Sequence, residues 1–319
     1  MEEDIMLQHL TMYLMPSKGI DIEIAQSILM SMRLKDYALS ATDLSLYLRC
    51  PVSFYYEKIL RAPAAKNDSL AFGVAVHFAM EHMVKQMLRR KALDGTVTFP
   101  EKDDVLFLFE KSLERNKDAF TEQQFDNRLA EGKEEIAAFY DAFLPTLHGD
   151  MYAEQRVGPI LVNDVPIKGN IDLIKMEDGE AIVYDYKTGK SDKDKIRKAT
   201  IPANPDDEKN LYGGDYWRQM LFYKLLLDNY QAIDGRTFNM QKGVFKYVRP
   251  DKNGEFQDAE IMIFDKDKEF MKNLIKEVYG KIQRHEFQHG CGEDNCQWCT
   301  FVKRYDLNAV TDTIANPQL

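Results

Sequence analysis

Two acids and a lysine stand close together in the stretch Val165 to Gly189, VPIKGNIDLIKMEDGEAIVYDYKTG. Asp178-Gly179 between apolar runs is a strong signal for a two-residue hairpin turn. Such a turn sets Glu177 opposite Glu180, Lys175 opposite Ile182, Ile174 opposite Val183, and, further out, Asp172 opposite Asp185. Opposed residues share one face of the sheet with Cβ atoms about 4.5–5.5 Å apart. The period of two puts Lys187 on the face of Asp185 and Tyr186 on the other. Paired carboxylates at that distance repel, and a hard divalent cation with oxygen ligands compensates them. Lys187 adds a positive charge able to hold a phosphate or a nucleophilic water. The competing reading is a surface hairpin with its acids in solvent. The second, opposed acid and the apolar neighbours Ile171, Ile182 and Val183 favour a site. A register slipped by one residue would undo it.

Further residues carry weaker signals. His77 and Glu81 lie at i and i+4 on one helix face beside an apolar stripe, as do Gln219 and Tyr223 on another helix. In isolation, a hydrogen-bonded core histidine and a surface glutamine beside a core tyrosine explain these as well. The chain has four cysteines, Cys50, Cys291, Cys296 and Cys299, three of them within nine residues. Lys187, Lys190, Lys193, Lys195, Arg197 and Lys198 fall within twelve residues, against Asp192 and Asp194. This run reads equally as a solvated loop or as a phosphate-contacting patch formed by Lys190, Lys193, Arg197 and Lys198.

The elements that position these residues follow from pattern. Residues 1–36 read as a helical connector, with Ile22, Ile24, Ile28 and Leu29 near helical spacing. Ser40 caps a helix running to about Leu48, with Asp43 in a variant capping box, and Cys50-Pro51 ends it. Gly73–Lys91 is amphipathic, with Val76, Met80, Met83, Val84, Met87 and Leu88 on one stripe. Residues 101–148 read as further helix. From Tyr152 to Lys187 the period is near two, with turns at Gly158-Pro159, Asn163-Asp164 and Asp178-Gly179. Residues 188–210 read as a charged loop. Tyr216–Tyr230 is a helix, Lys242–Val248 and Ile261–Phe264 are strands, and Phe270–His285 is a final helix. With 45% hydrophobic and 29% charged residues, the 319-residue chain has an ordinary globular composition. Its net charge of −10 argues against a protein that merely coats nucleic acid. Acids at Glu2, Glu3 and Asp4 stand where a secretory signal carries positive charge, and there is no long apolar run, so a cytoplasmic location is expected.

Taken in order, the residues resemble a known family. Leu39-Ser40-Ala41-Thr42-Asp43-Leu44, Tyr47-Leu48-Arg49-Cys50-Pro51 and Phe54-Tyr55-Tyr56 come first, then Phe72-Gly73 with Val76-His77. Gly169-Asn170-Ile171-Asp172, Asp185-Tyr186-Lys187-Thr188-Gly189, Gln219 with Tyr223, and the cysteine tail follow. Over residues 38–305 this is similar to the RecB/AddB-type nuclease domain of the PD-(D/E)XK superfamily, and most to the C-terminal nuclease domain of bacterial UvrD-like helicases. The resemblance implies an α/β fold with a restriction-endonuclease-like core, a mixed central sheet flanked by helices, in a domain over residues 37–305. That domain carries a helical insertion at about 92–150 and a cysteine-bearing tail at 286–305, with residues 306–319 beyond it.

By the same resemblance, His77, Asp172, Asp185 and the Tyr186 carbonyl would ligate Mg²⁺ or Mn²⁺, and Lys187 would orient or activate the attacking water. Gln219 and Tyr223 would position DNA and Lys187, and Glu81 and Glu154 are candidate acids behind the ligands. The implied reaction is phosphodiester hydrolysis in DNA. Iron–sulfur members carry one cysteine before the core and three after it, holding a [4Fe–4S] cluster. Here Cys50 and the Cys296-x-x-Cys299 pair fit, but Tyr305 stands near the expected last position and Cys291 precedes the pair. A cluster with Cys291 as substitute and a four-cysteine zinc site both remain open.

The implied role is the nuclease part of a helicase–nuclease in DNA repair or recombination, with helicase domains as partners, since the chain has no Walker A motif. Two rival readings are a stand-alone CRISPR-associated-type exonuclease and a non-catalytic DNA-binding module that retains the fold. The second would be expected to have lost a ligand or the lysine.

Overall fold

The computed structural model describes residues 22–63, 67–232 and 235–305, with side chains from residue 28 onward. The expected helical reading of residues 1–21 and the tail 306–319 fall outside the described residues. The chain forms two units. One takes the segment up to Pro63, Asn163–Pro166 and the segment from Asn273; the other takes Ala64–Val162 and Ile167–Lys272.

The first unit is helical. Helix α1 spans Ile22–Leu34, α2 Ala41–Arg49 and α3 Pro51–Phe54, followed by a π-helical turn at Tyr55–Ile59. Ser40 caps α2 through the Asp43 N–H at 3.1 Å. The Asp43 carboxylate does not reach back to close a capping box. It accepts from the Tyr37 hydroxyl at 3.0 Å and pairs with Lys58 at 2.9 Å. Cys50 ends α2 and also caps α3, where Pro51 takes the first helical position, whose N–H needs no partner. Phe54, Tyr55 and Tyr47 pack round Phe287, and the Tyr47 hydroxyl donates to the Glu286 carbonyl at 2.6 Å.

In the second unit, α4 (Asp68–Asp94), α5 (Lys102–Glu114) and α6 (Glu122–Phe143) precede a five-stranded sheet. Its strands are β1 (Met151–Val162), β2 (Val165–Glu177), β3 (Glu180–Lys187), β4 (Met240–Tyr247) and β5 (Asp258–Met262), in spatial order 1-2-3-4-5. β2–β3 and β4–β5 are antiparallel and β3–β4 parallel, so the sheet is mixed. Helices α7 (Lys193–Thr200) and α8 (Asp215–Asp228) make the crossover from β3 to β4 that a parallel pair requires. Helix α9 (Asp265–Gln283) begins in this unit, and α10 (Gln297–Arg304) belongs to the first. Among the described residues, no helix is long and apolar enough to cross a membrane.

Caps account for where α4 ends. Asn67 accepts from the Ser69 and Leu70 N–H groups, and Gly95 closes the far end in the left-handed region, so the helix runs beyond the expected Gly73–Lys91. Its stripe of Phe72, Val76, Met80, Met83 and Met87 meets Phe109 of α5, Ile136 and Phe139 of α6, and Leu173 and Tyr186 of the sheet in one core. Residues 101–148 are thus packed helices that build this core.

Two further expectations are corrected. Gly158-Pro159 does not turn the chain; β1 runs through it, because β1 is an edge strand, where a missing N–H can cost no ladder bond. The basic segment after β3 is not all loop. Asp192 accepts from the Lys195 N–H and nucleates α7, which stops before Pro202.

Candidate active site and four-cysteine cluster

The hairpin register runs as its turn dictates. Asp178 and Gly179 both have positive φ, and the pairing proceeds from Glu177 opposite Glu180 to Leu173 opposite Tyr184. The rungs end there, one step short of the two aspartates. In place of a further rung, Asp172 Oδ2 accepts the Tyr186 N–H at 2.9 Å.

β3 reads as a central strand buried on both faces. Tyr186 faces Phe139 and Phe143, while Asp185 and Lys187 face the other way. On that side α8 lies close on β4, because a Cβ at Gly243 would collide with Met220. The close approach brings the α8 side chain Gln219 onto β3. Its amide nitrogen donates to Asp185 Oδ1 at 2.7 Å and to the Tyr223 hydroxyl at 2.8 Å, and its carbonyl accepts from Lys187 Nζ at 3.3 Å.

Lys187 is therefore held from several sides. Asp185 Oδ2 lies 2.7 Å away. The Tyr216 and Phe245 rings stack at 4.1 Å, and Nζ sits 4.9 and 4.8 Å from their centroids, within cation–π range. Asp185 is 4% exposed, and its Oδ2 makes no well-directed hydrogen bond despite the nearby lysine. Burial, with Asp172 adding to it and Lys187 opposing, raises the Asp185 carboxyl above its ordinary range. Tyr223 is buried beneath this face, and burial with the nearby Asp185 and Asp172 charges pushes its hydroxyl well above its ordinary value. Its hydroxyl accepts from the Gln219 amide, and the side chain is buried.

A second cluster adjoins. His77 on α4, Glu154 on β1 and Asp172 on β2 bring ligand atoms within 4.8 Å of one another. His77 Nδ1 is 3.3 Å from Asp172 Oδ2, and Nε2 is 3.0 Å from the Tyr186 carbonyl. Burial works against charge on His77, but Asp172, Asp185 and Glu154 outweigh it, and its pKa lies above the ordinary 6.5. Glu154 is raised too, first by burial and then by Asp172 and Glu81, with a hydrogen bond from Asn170 opposing. Glu81 itself pairs with Lys85. Glu154 thus takes a place in the ligand group, and Asp185 turns toward Lys187 and Gln219.

A cleft of about 810 Å³ opens over His77, Asp185 and Lys187. Leu70, Gly73, His77 and Glu81 line one wall; Asp185, Lys187, Thr188, Lys190, Lys195 and Tyr216 line another. Of the basic run, Lys187, Lys190 and Lys195 reach the cleft. Lys193, Arg197 and Lys198 stand along α7, with Arg197 exposed and paired with Asp194. The sequence places Lys195 in the basic run but not among the four expected phosphate contacts, and it does not mark Tyr216 or Phe245 as site residues. The alternation of α7 and the aromatic residue three before Gln219 were the available signals.

In the first unit the four cysteines converge. Cys50 Sγ is 3.5 Å from Cys299 and 3.9 Å from Cys296, and Cys291 is 3.8 Å from Cys299. None of the four forms a disulfide. Burial opposes ionisation of Cys296, but bonds from Ser53, the Cys299 N–H and neighbouring thiols outweigh it and draw its pKa down to about 6.

Residues 38–304 match the sequence profile of the PD-(D/E)XK nuclease superfamily. No curated protein matches the chain. A crystal structure from Eubacterium rectale, named as a "Putative exonuclease", aligns over 89% of this chain and 94% of its own, at 13% identity and a TM-score of 0.50, which shows likeness of fold. A second structure, of SSO0001, aligns over 82% of this chain and 86% of its own, at 16% identity and a TM-score of 0.29.

Proposed function

The chain belongs to the PD-(D/E)XK nuclease superfamily, and from that premise we propose that it is a Mg²⁺- or Mn²⁺-dependent deoxyribonuclease with His77, Glu154, Asp172, Asp185 and Lys187 at its centre. The observation that carries this reading is the position of Lys187, fixed by Asp185, Gln219 and two aromatic rings beside the His77–Glu154–Asp172 group.

The donor set fits a hard divalent ion: carboxylate oxygens with one imidazole, and a buried Asp185 oxygen without a directed donor. His77, Glu154 and Asp172 would hold it, with Asp185 and the Tyr186 carbonyl at its border. Such an ion, when bound, polarises the phosphate and lowers the pKa of a water.

The protein supplies placement. Lys187 Nζ keeps its position because Asp185 and Gln219 hold it, and it can donate a hydrogen bond to a phosphate oxygen or to the attacking water. Gln219 bridges Asp185, Lys187 and Tyr223, so a shift of α8 would move all three. Lys190 and Lys195 give the cleft wall a positive lining that suits a phosphodiester backbone. We extend the reading to exonucleolytic action, supported by the name of the Eubacterium rectale protein. We also extend it to a role as nuclease partner of a helicase in DNA repair, supported by the order of motifs from Leu39 to Cys299.

The test is degradation of end-labelled single- and double-stranded DNA with Mg²⁺, with Mn²⁺ and with EDTA, beside Lys187→Ala. The proposal expects cleavage that needs the ion and the lysine. Full activity in EDTA would overturn it.

A further inference from the structure

The resemblance leaves two occupants for the four cysteines, and the spacing of the sulfurs separates them. The geometry points to a single, structural zinc ion held by Cys50, Cys291, Cys296 and Cys299.

A zinc ion binds thiolates at about 2.3 Å, so four of them in a tetrahedron stand about 3.8 Å apart. The sulfurs here are joined by separations of 3.5, 3.8 and 3.9 Å, and all four lie within 4.8 Å of one another. In a [4Fe–4S] cluster each thiolate caps a different iron atom, so four irons and four sulfides lie inside the thiolate tetrahedron. A tetrahedron with these edges holds one ion and has no room for eight atoms. The cysteines as placed do not fit the cluster.

The surroundings are built for that close approach. A Cβ at Gly290 would stand 2.6 Å from Cys299 Sγ, so the chain can pass there only as glycine. The Ser53 N–H points at Cys50 Sγ at 3.4 Å, and the Ser53 hydroxyl lies 3.4 Å from Cys296 Sγ. The backbone N–H groups of Glu293, Gly292 and Cys299 face the sulfurs of Cys291, Cys299 and Cys296. Every sulfur thus has a backbone donor, the arrangement that suits thiolates in a site closed to solvent ligands. Trp298 stacks on Tyr56 at 4.7 Å, and Val52, Trp298 and Val302 pack beside the cysteines. With four protein ligands the site has no open position, which marks a structural ion.

Its effect would be to tie Cys50 to a segment more than 240 positions later; Cys50 and Cys299 are 249 apart. Closing so long a loop is entropically costly, and the metal–thiolate bonds supply the compensation, so metal affinity becomes folding free energy.

The experiment is metal and sulfide analysis of the full chain, expressed in iron-rich, zinc-limited medium and purified without oxygen. The expected result is about one zinc per chain, no acid-labile sulfide and no visible absorption. Titrating the four thiols with a mercurial should release the zinc in step, and Co²⁺ exchanged into the site should give the intense spectrum of tetrahedral thiolate cobalt. Both readouts use the parent chain, so they need no cysteine variant to fold. A brown protein with equal iron and labile sulfide would overturn the inference. So would a metal-free chain whose four thiols all react freely and which takes up no Co²⁺.

Discussion

The two metal-competent regions differ in almost every physical respect. The cysteine cluster offers four soft donors, each with a backbone N–H aimed at it, and no vacant direction. The carboxylate site offers a histidine and oxygens, borders a cleft of about 810 Å³, and contains acids that repel. The first is built from interactions that agree with one another. The second keeps Asp185 buried against its tendency to stay ionised, and raises His77 and Glu154 as well. A region that holds the fold can satisfy every group, whereas one that acts on a substrate must leave groups unsatisfied until the substrate and ion arrive.

Four experiments can break or sharpen this contrast. The largest effect belongs to Lys187→Ala, which removes the group held by Asp185 and Gln219. Steady-state DNA cleavage should fall by about 10³-fold, the scale for losing a preorganised charge stabiliser, with zinc content unchanged. Residual activity within a few-fold of the parent would mean that Lys187 serves the fold alone.

Gln219→Ala should cost less, about 10–100-fold, since it acts through the residues it orients. Its signature is a fall in kcat with KM nearly constant. A rise in KM alone would instead mean that Gln219 touches DNA.

The double substitution Lys190→Ala, Lys195→Ala should weaken binding of a DNA duplex in the presence of Ca²⁺ and flatten its salt dependence. Removing one phosphate-neutralising cation should lower the slope of log affinity against log salt by roughly 1. An unchanged slope would mark both lysines as solvated.

The smallest effect concerns stability without metal. Asp185 and His77 both have folded pKa values raised above the unfolded ones. The stability each contributes is complete below its unfolded value, 3.8 and 6.5, and is lost as pH rises through the folded value. In EDTA the parent should therefore melt at lower temperature as pH climbs above 6.5, and His77→Gln should flatten that fall. Asp185→Asn, free of the buried charge, should melt at neutral pH no lower than the parent. Gln219 and the two rings still hold Lys187, and the repulsion from Asp172 is gone. A drop of several degrees would show that Asp185 supports the fold through its bond to Gln219.

What the sequence revealed depended on how local the cause was. The β2–β3 register could be read because a two-residue Asp-Gly turn leaves no freedom in which residues oppose. The stripe of α4 could be read because six apolar residues from Val76 to Leu88 repeat at helical spacing. The mixed sheet and flanking helices followed from the ordered motifs. Glu154 stayed at the margin although the two-residue Asn163-Asp164 turn joins its strand to β2, because reading Gly158-Pro159 as a turn split that strand and hid its alignment with Asp172. The hold of Gln219 on Lys187 joins residues 32 apart and was carried only by the resemblance, while the rings of Tyr216 and Phe245 beside that lysine were hidden. Charge density masked α7, whose Asp192 cap was the overlooked sign. Cys291 looked misplaced by spacing alone, yet folding sets its sulfur 3.8 Å from Cys299.

The measurement that bears most directly on the contrast follows both regions in one sample. Brief EDTA treatment, then desalting and readdition of Mn²⁺, is monitored by DNA cleavage and by zinc content. The account predicts that cleavage disappears with EDTA and returns with Mn²⁺ while zinc stays at about one per chain throughout. Cleavage that survives EDTA, or that returns only when zinc is restored, would contradict it.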